Sequence, residues 1–350
     1  MTVSSLPKGS TFVRYAMALA VGKDVGNAAA YAASRWGEGS QVHRILKGAV
    51  SAGDTAGWGE ELVSEYGAAA ADFLGLVRER TIIGRLPGLR RVPPLTPFLR
   101  VSSGATASWI AEGGAMAMRG MTFARDSLET LKIAALTVLT EELASSADPA
   151  AESMIRADLI SAIVEASDTA FIDPGNSGTP GEQPAAVTNG ITAVTSGGDF
   201  TESIETLTRT FAGDLTAAYF VGRPELFVQI SGIEYPNIGA RGGEIAGIPA
   251  LASRYVPMGA GDTYDLALID PSGITYTSDE AGTELKTARH ASIQFDDAPT
   301  MDSVEPTGAN MINLWQVNGT AIAALLRQNW IRTRPGSVAL LTGIAAGSAS

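Results

Sequence analysis

The chain has no cysteine and only two histidines, and aromatic residues make up only 7% of its length. Without cysteine there is no disulfide, no thiol nucleophile and no thiolate metal site, so stability must come from burial or from association. His43 and His290 lie far apart in sequence, which argues against a histidine-based triad or a multi-histidine metal centre. No glycine-rich turn ends in Gly-Lys-Ser or Gly-Lys-Thr, so a Walker-type phosphate loop is excluded. The stretches "GARGGEIAG" (239–247) and "GAGDTY" (259–264) lack the spacing of a dinucleotide fingerprint and read as tight turns. "GNSGT" (175–179) is no nucleophile elbow, because its second glycine sits one position early. Long apolar runs are missing too. "TFVRYAMALAVGK" and "VALLTGIAAGSA" are too short or too interrupted to span a bilayer. The first of them faintly echoes a signal peptide but continues as a helix without a processing site, so secretion is not expected.

What is present is apolar and acidic. Of 350 residues, 45% are hydrophobic, and the mean hydropathy is +0.12, enough apolar material for one large domain or two smaller ones. The net charge of −12 argues against a protein that coats nucleic acid. That charge is uneven. Residues 1–50 hold six basic side chains against two acidic ones, and residues 78–100 hold six arginines against one glutamate. These are nets of +4 and +5, and they leave −21 for the rest of the chain. A basic segment beside an acidic body suits docking on an acidic surface, its own or a neighbour's.

Along the chain, residues 10–36 read as an alanine-rich helix, and Ser40 offers an N-cap for a shorter helix through Lys47. "EELVSEYGAAAADFLGLVRER" (60–80) is helical again, with Leu62, Tyr66, Phe73 and Val77 as apolar positions. The four prolines of "RLPGLRRVPPLTP" then impose an extended connector. Such a start is poor material for a compact domain and reads as an arm. "LETLKIAALTVL" (128–139) suits a buried strand. Asp148 as N-cap, Pro149 at the first helical position and apolar residues at Met154 or Ile155, Leu159, Ile163, Ala166 and Ala170 predict a helix of five or six turns. Glu152 and Arg156 would pair on it at i,i+4. A glycine–proline loop follows at 173–185, then a helix over 201–218 capped by Thr201 or Ser203, and short strands to the end. The fold class is α+β.

Between connector and strand lies "SWIAEGGAMAMRGMTFARDSL" (108–128), two strand-like runs with a glycine break. Its row of Trp109, Ile110, Met116, Met118, Met121 and Phe123 would be an aggregation liability on a monomer and calls for a partner surface. Arg100, Arg119 and Arg125 supply positive charge beside it, and Glu112 at the tip has no walls to exclude water, so an intersubunit salt bridge suits it better than catalysis. The pairs Glu141–Glu142 and Asp296–Asp297 lack the further ligands that a cation site or acid–base work requires.

On these residues the chain resembles the major capsid proteins of tailed bacteriophages with the Hong Kong 97-type fold. The resemblance is carried by residues 97–191, from "FLRVSSGATASWIAEGG" through the long helix to "AAVTNGI", and by the closing "NLWQVNGTAIAALLRQNWIRTRPGSVALLTG". It implies an N-terminal arm (1–62), a helix and proline-rich connector (63–95) and an extended loop (96–127). A peripheral domain with a long spine helix (128–186 and 305–350) and an axial domain (187–304) complete it. It implies a structural protein without cofactor or metal, forming hexamers and pentamers of an icosahedral shell around a DNA genome. Portal, scaffolding and decoration or cement proteins would be its partners, packaged double-stranded DNA would be touched without sequence preference, and no membrane is involved. Its place would be the virion, after assembly in the host cytoplasm. Some members of that family cross-link a loop lysine to an asparagine of a neighbour. Residues 97–131 contain no lysine and the positions around Leu325–Arg327 no carboxylate, so no covalent cross-linking is expected. The alternatives are an encapsulin-like compartment shell of the same fold, and an α+β enzyme using Glu112 or Asp296–Asp297.

Overall fold

The computed structural model describes residues 7–22, 24–50, 71–103, 109, 122–140, 149–259, 261–288, 292–295, 310–316 and 319–345. They fall into two compact units. One comprises residues up to Gly84, Ile133–Ser167 and Glu280–Arg327, and the other Arg85–Lys132, Asp168–Asp279 and Gln328 onwards.

The first unit begins with three helices, α1 (Ser10–Gly22), α2 (Val25–Trp36) and α3 (Gln41–Val50). The single helix expected over 10–36 is broken because Asp24 turns extended and caps α2, its carboxylate accepting the N–H of Asn27. Gly22 permits the break, since a Cβ there would collide with the backbone of Ala28. The alanines are what lets these helices approach: Ala18, Ala28, Ala29 and Ala32 pack with Val42 and Leu46 in a small-residue core. Over the described residues these three helices pack on one another through small side chains. His43 sits on α3 with its ring Nδ1 2.9 Å from the Ala29 carbonyl, a structural role; His290 lies outside the described residues.

Residues 71–80 form α4, whose Phe73 stacks on Phe12 of α1 at 4.5 Å. The long helix α6 (Pro149–Ile172) follows the short α5 (Ile82–Arg85) in chain order and matches its sequence pattern, with Ile155, Leu159 and Ile163 buried. Its expected Glu152–Arg156 pair does not form. Glu152 instead takes Arg14 of α1 at 2.8 Å, largely buried, and Arg156 donates to the Ser10 hydroxyl at 2.6 Å. A buried carboxylate requires a close, well-aligned partner, and folding supplies a better one than the residue a turn away.

The second unit is built on strands β5 (Val194–Thr195), β6 (Tyr219–Gly222), β7 (Ile238–Gly239), β8 (Gly242–Ile245) and β9 (Ile248–Ala252), together with β10 (Met258–Gly259), β11 (Thr263–Ile269) and β16 (Val338–Ala345). They form a mixed sheet in the order β5-β16-β11-β6-β9-β8-β7, with β10 also on β11. The helices α7 (Phe200–Thr210) and α8 (Pro224–Ile230) bury Leu207, Leu226 and Phe227 with Phe220, Leu266, Leu268 and Leu341. The helix expected over 201–218 is shorter, and Asp199 caps it through the N–H groups of Thr201 and Glu202. β16 pairs antiparallel with β11 and parallel with β5, and Val338–Leu341 is buried.

The strands β1 (Arg90–Arg91), β4 (Leu131–Thr140), β12 (Ile274–Ala288) and β15 (Gly319–Arg332) make a four-stranded sheet in the order β1-β12-β15-β4. A hairpin joins β13 (Ser292–Phe295) to β14 (Asn310–Asn313), and β2 (Pro97–Ser103) pairs antiparallel with β3 (Thr122–Ser127).

Between Tyr264 and Leu266 the β11–β16 register slips by one, and Gly343 at φ +77° is the extra residue. Desolvation there raises the carboxyl pKa of Asp265; the Gly343 N–H opposes the shift and the charge of Asp173 adds to it. A raised folded-state pKa means the native protein holds the proton more tightly than the unfolded chain. The contribution is therefore favourable below the ordinary carboxylate value of about 3.9 and is lost as pH rises toward the folded value. Asp265→Asn is expected to stabilise the protein at pH 7, by less than about 1 kcal/mol because solvent screens this half-buried group, and to lose that advantage below about pH 4. Urea midpoints at the two pH values check it; an advantage that is larger at low pH would contradict the sign.

Candidate functional site

The β2–β3 ribbon stands as a two-stranded sheet, the least self-sufficient kind. Its register places Phe98 opposite Asp126, Leu99 opposite Arg125, Arg100 opposite Ala124 and Val101 opposite Phe123. Because side chains alternate, Phe98, Arg100, Ala124 and Asp126 share one face, and Leu99, Phe123 and Arg125 the other. The two faces have different fates.

The first face is tied down. Phe98 is buried with Val92, Leu128 and Ile331, and the guanidinium of Arg90 lies 5.5 Å from its ring centre. Arg100 meets Asp126 diagonally across the ribbon at 3.1 Å, an ion pair without hydrogen-bond alignment. Leu95, at φ +57°, donates its N–H to the Leu128 carbonyl at 2.9 Å and closes the neck. The second face is bare: Leu99 is 58% and Phe123 54% exposed, and Arg125 is exposed beside them. Trp109 is fully exposed. Ile110, Glu112, Met116, Met118, Arg119 and Met121 lie outside the described residues. So do Glu141–Glu142, Asp148 and Asp296–Asp297.

Beneath the neck opens a groove of about 710 Å³, walled by residues 127–131, the glycine–proline loop and Asn329–Arg332. The loop is wired closely. The Asn176 amide donates to the carbonyls of Ala170 and Pro184, the Asn189 amide to Pro174, and the Thr188 hydroxyl to Ile172. The end of β15 clasps it: the Trp330 indole N–H reaches Ala185 at 2.9 Å, its ring meets Phe171 edge-on at 5.4 Å, and Arg332 donates to Val187 and Asn189. Burial lowers the Arg332 pKa from its ordinary value. Asp270, fully buried, braces another turn of this unit, accepting from the N–H groups of Asp214 and Ser272 and the Ser272 hydroxyl.

The residue pattern along the chain marks the ribbon but not the neck: Arg90, Leu95 and Trp330 carry no local signal of a shared role. Among the described residues, no group of three or more His, Asp or Glu side chains could hold a metal ion, and no helix is long and apolar enough to cross a membrane. The arrangement is a rigid base bearing an apolar ribbon.

An α+β chain with such a ribbon, a long helix and a closing strand has the Hong Kong 97-type fold. The sequence profile of the phage capsid family matches residues 70–301, and the chain belongs to that family. It is 32% identical over 326 residues to the capsid polyprotein of Pseudomonas phage PAJU2, covering 87% of this chain and 48% of the relative. The chain thus spans about half the length of that curated relative. Solved structures from Gordonia phage Cozz and Mycobacterium phage Ogopogo share the fold at TM-scores of 0.52 and 0.51, with 16% and 13% identity. They cover 76% and 75% of this chain, and 87% and 92% of their own.

Proposed function

We propose that the chain is the major capsid protein of a tailed bacteriophage, a structural subunit that assembles into hexamers and pentamers of an icosahedral shell and does no chemistry. The observation that carries this reading is the β2–β3 ribbon, anchored through Phe98 on one face and offering Leu99 and Phe123 bare on the other. Exposed apolar rows of this kind belong at interfaces. Membership of the phage capsid family and the name of the Pseudomonas phage relative favour a genome-enclosing shell over a bacterial compartment. Residues 96–127 act as the extended loop over a neighbour, residues 187–304 as the axial domain, and residues 1–62 as the N-terminal segment. Portal, scaffolding and cement proteins and packaged DNA are its partners in the virion, assembled in the host cytoplasm, and no cross-link joins the subunits.

Purified protein is expected to form capsomers or closed shells, seen by electron microscopy and sedimentation. Monomers of about 36 kDa across all assembly conditions would sink the proposal.

A further inference from the structure

Resting on that reading, we infer that the groove beneath the ribbon neck is a binding site for the acidic segment 296–305 of a second copy, with Arg332 receiving one of its carboxylates. The groove lies wholly within the second unit, and its volume of about 710 Å³ is that of a site for a short ligand. Arg332 is half-buried in its wall and spends two of its five N–H donors on the carbonyls of Val187 and Asn189. Among the described residues no carboxylate pairs with it, and burial alone lowers its pKa. Arg334, two residues on, instead meets Asp270 at 3.4 Å. A desolvated cation is costly unless an opposite charge answers it, so Arg332 is the group in this groove with a bond left to make.

The charges around Arg332 are mixed. Glu129 lines the groove, Glu182 is exposed at the loop tip, and Lys132 is exposed next to Leu131 of the wall. Water screens these three, and they form no continuous positive track for a nucleic-acid backbone. What fits is a single carboxylate on an extended peptide, whose backbone can bond to Ser127, Ser177, Thr179 and Gln183 along the walls. The chain supplies that chemistry once per subunit. Residues 290–326 hold no lysine or arginine and four acids, Asp296, Asp297, Asp302 and Glu305, with Pro299 and Pro306 to disfavour a helix. Groove and segment are different surfaces of one chain, so the contact is head-to-tail and recurs from copy to copy around a ring or shell.

The absence of native cysteine makes the test clean. One batch of full chain carries Ser177→Cys or Thr179→Cys and a second carries Ala298→Cys or Ser303→Cys; the two are mixed, assembled and treated with a short bismaleimide. Each copy holds one thiol, so a linked dimer on a denaturing gel reports contact between copies. At least one of the four mixtures is expected to give that dimer, while neither batch links alone. Arg332→Gln in the groove batch should lower the dimer yield at least about tenfold, and Arg332→Lys, which keeps the charge, should restore part of it. Should urea unfolding show that Arg332→Gln weakens the fold, amides at Asp296, Asp297, Asp302 and Glu305 in the other batch test the same bond from its far side, with the same expected loss. If a cysteine batch fails to assemble, these charge changes are read as shell yield. Shells without a mixed dimer, dimers from one batch alone, or yields indifferent to the charge changes overturn the inference and leave the capsid reading standing. Wild-type protein that forms no shells removes the capsid reading itself.

Discussion

Replacing Leu99 and Phe123 together by aspartate is expected to abolish shell formation while leaving the folded subunit intact. Both side chains are more than half exposed in the subunit, and surface substitutions away from caps and cores usually change stability by less than about 0.5 kcal/mol. In a shell they would be buried. Each fully buried side chain of this size contributes about 1.5–3 kcal/mol, and a buried unpaired carboxylate reverses the sign. A loss of about 2.8 kcal/mol weakens one contact roughly a hundredfold. The contact recurs at every subunit, so the deficits multiply and the closed shell disappears before the fold is affected. Sedimentation and electron microscopy report assembly, and thermal unfolding reports the subunit. Shells at wild-type yield would mean that the ribbon face is not an interface. A collapsed melting temperature would mean that the ribbon belongs to the core.

The second large effect is on stability. Trp330→Ala should lower the unfolding free energy by about 4 kcal/mol, within the range of about 3–5 kcal/mol for deleting a large buried aromatic. Trp330 is buried, meets Phe171 edge-on and holds the Ala185 carbonyl with its indole N–H. Its loss removes packing and orphans the carbonyl at once. Trp330→Phe separates the two, because it keeps the ring contact and loses only the donor, so about half the deficit or less should remain. Urea unfolding of the two variants is the measurement. A cost below about 1 kcal/mol for the alanine would show that the glycine–proline loop holds itself without the β15 clasp.

Several elements follow from local chemistry alone. α6 is written in Pro149 and a 3.6-residue apolar period, β4 in a partly β-branched apolar run that was expected to be buried but leaves Leu136 and Val138 exposed, and the turns near Gly242 and Gly261 in glycines that take positive φ. Of the ribbon, β3 overlaps the second strand-like run, while the glycine break and most of the first run lie outside the described residues, and Arg100, Phe123 and Arg125 of its expected contact residues lie on the paired strands. The pairing on α6 was not legible. Glu152 and Arg156 have the right spacing, yet Arg14 and Ser10 take them, because α1 arrives from 138 and 146 residues away. The length of α7 misled for a simpler reason: Asp199 outcompetes Thr201 and Ser203 as cap, and the chain leaves the helix at Phe211.

By itself the sequence determined the absences and the periodicities: no thiol chemistry, no phosphate loop, the long helix and the apolar ribbon. Those depend on residue identity and near neighbours, where spacing along the chain equals position in space. Only the tertiary structure decided which face of the ribbon is bare. Phe98 and Leu99 are adjacent and both strongly apolar, so nothing local distinguishes them. The neck built from Val92, Leu128 and Ile331 buries one and leaves the other exposed.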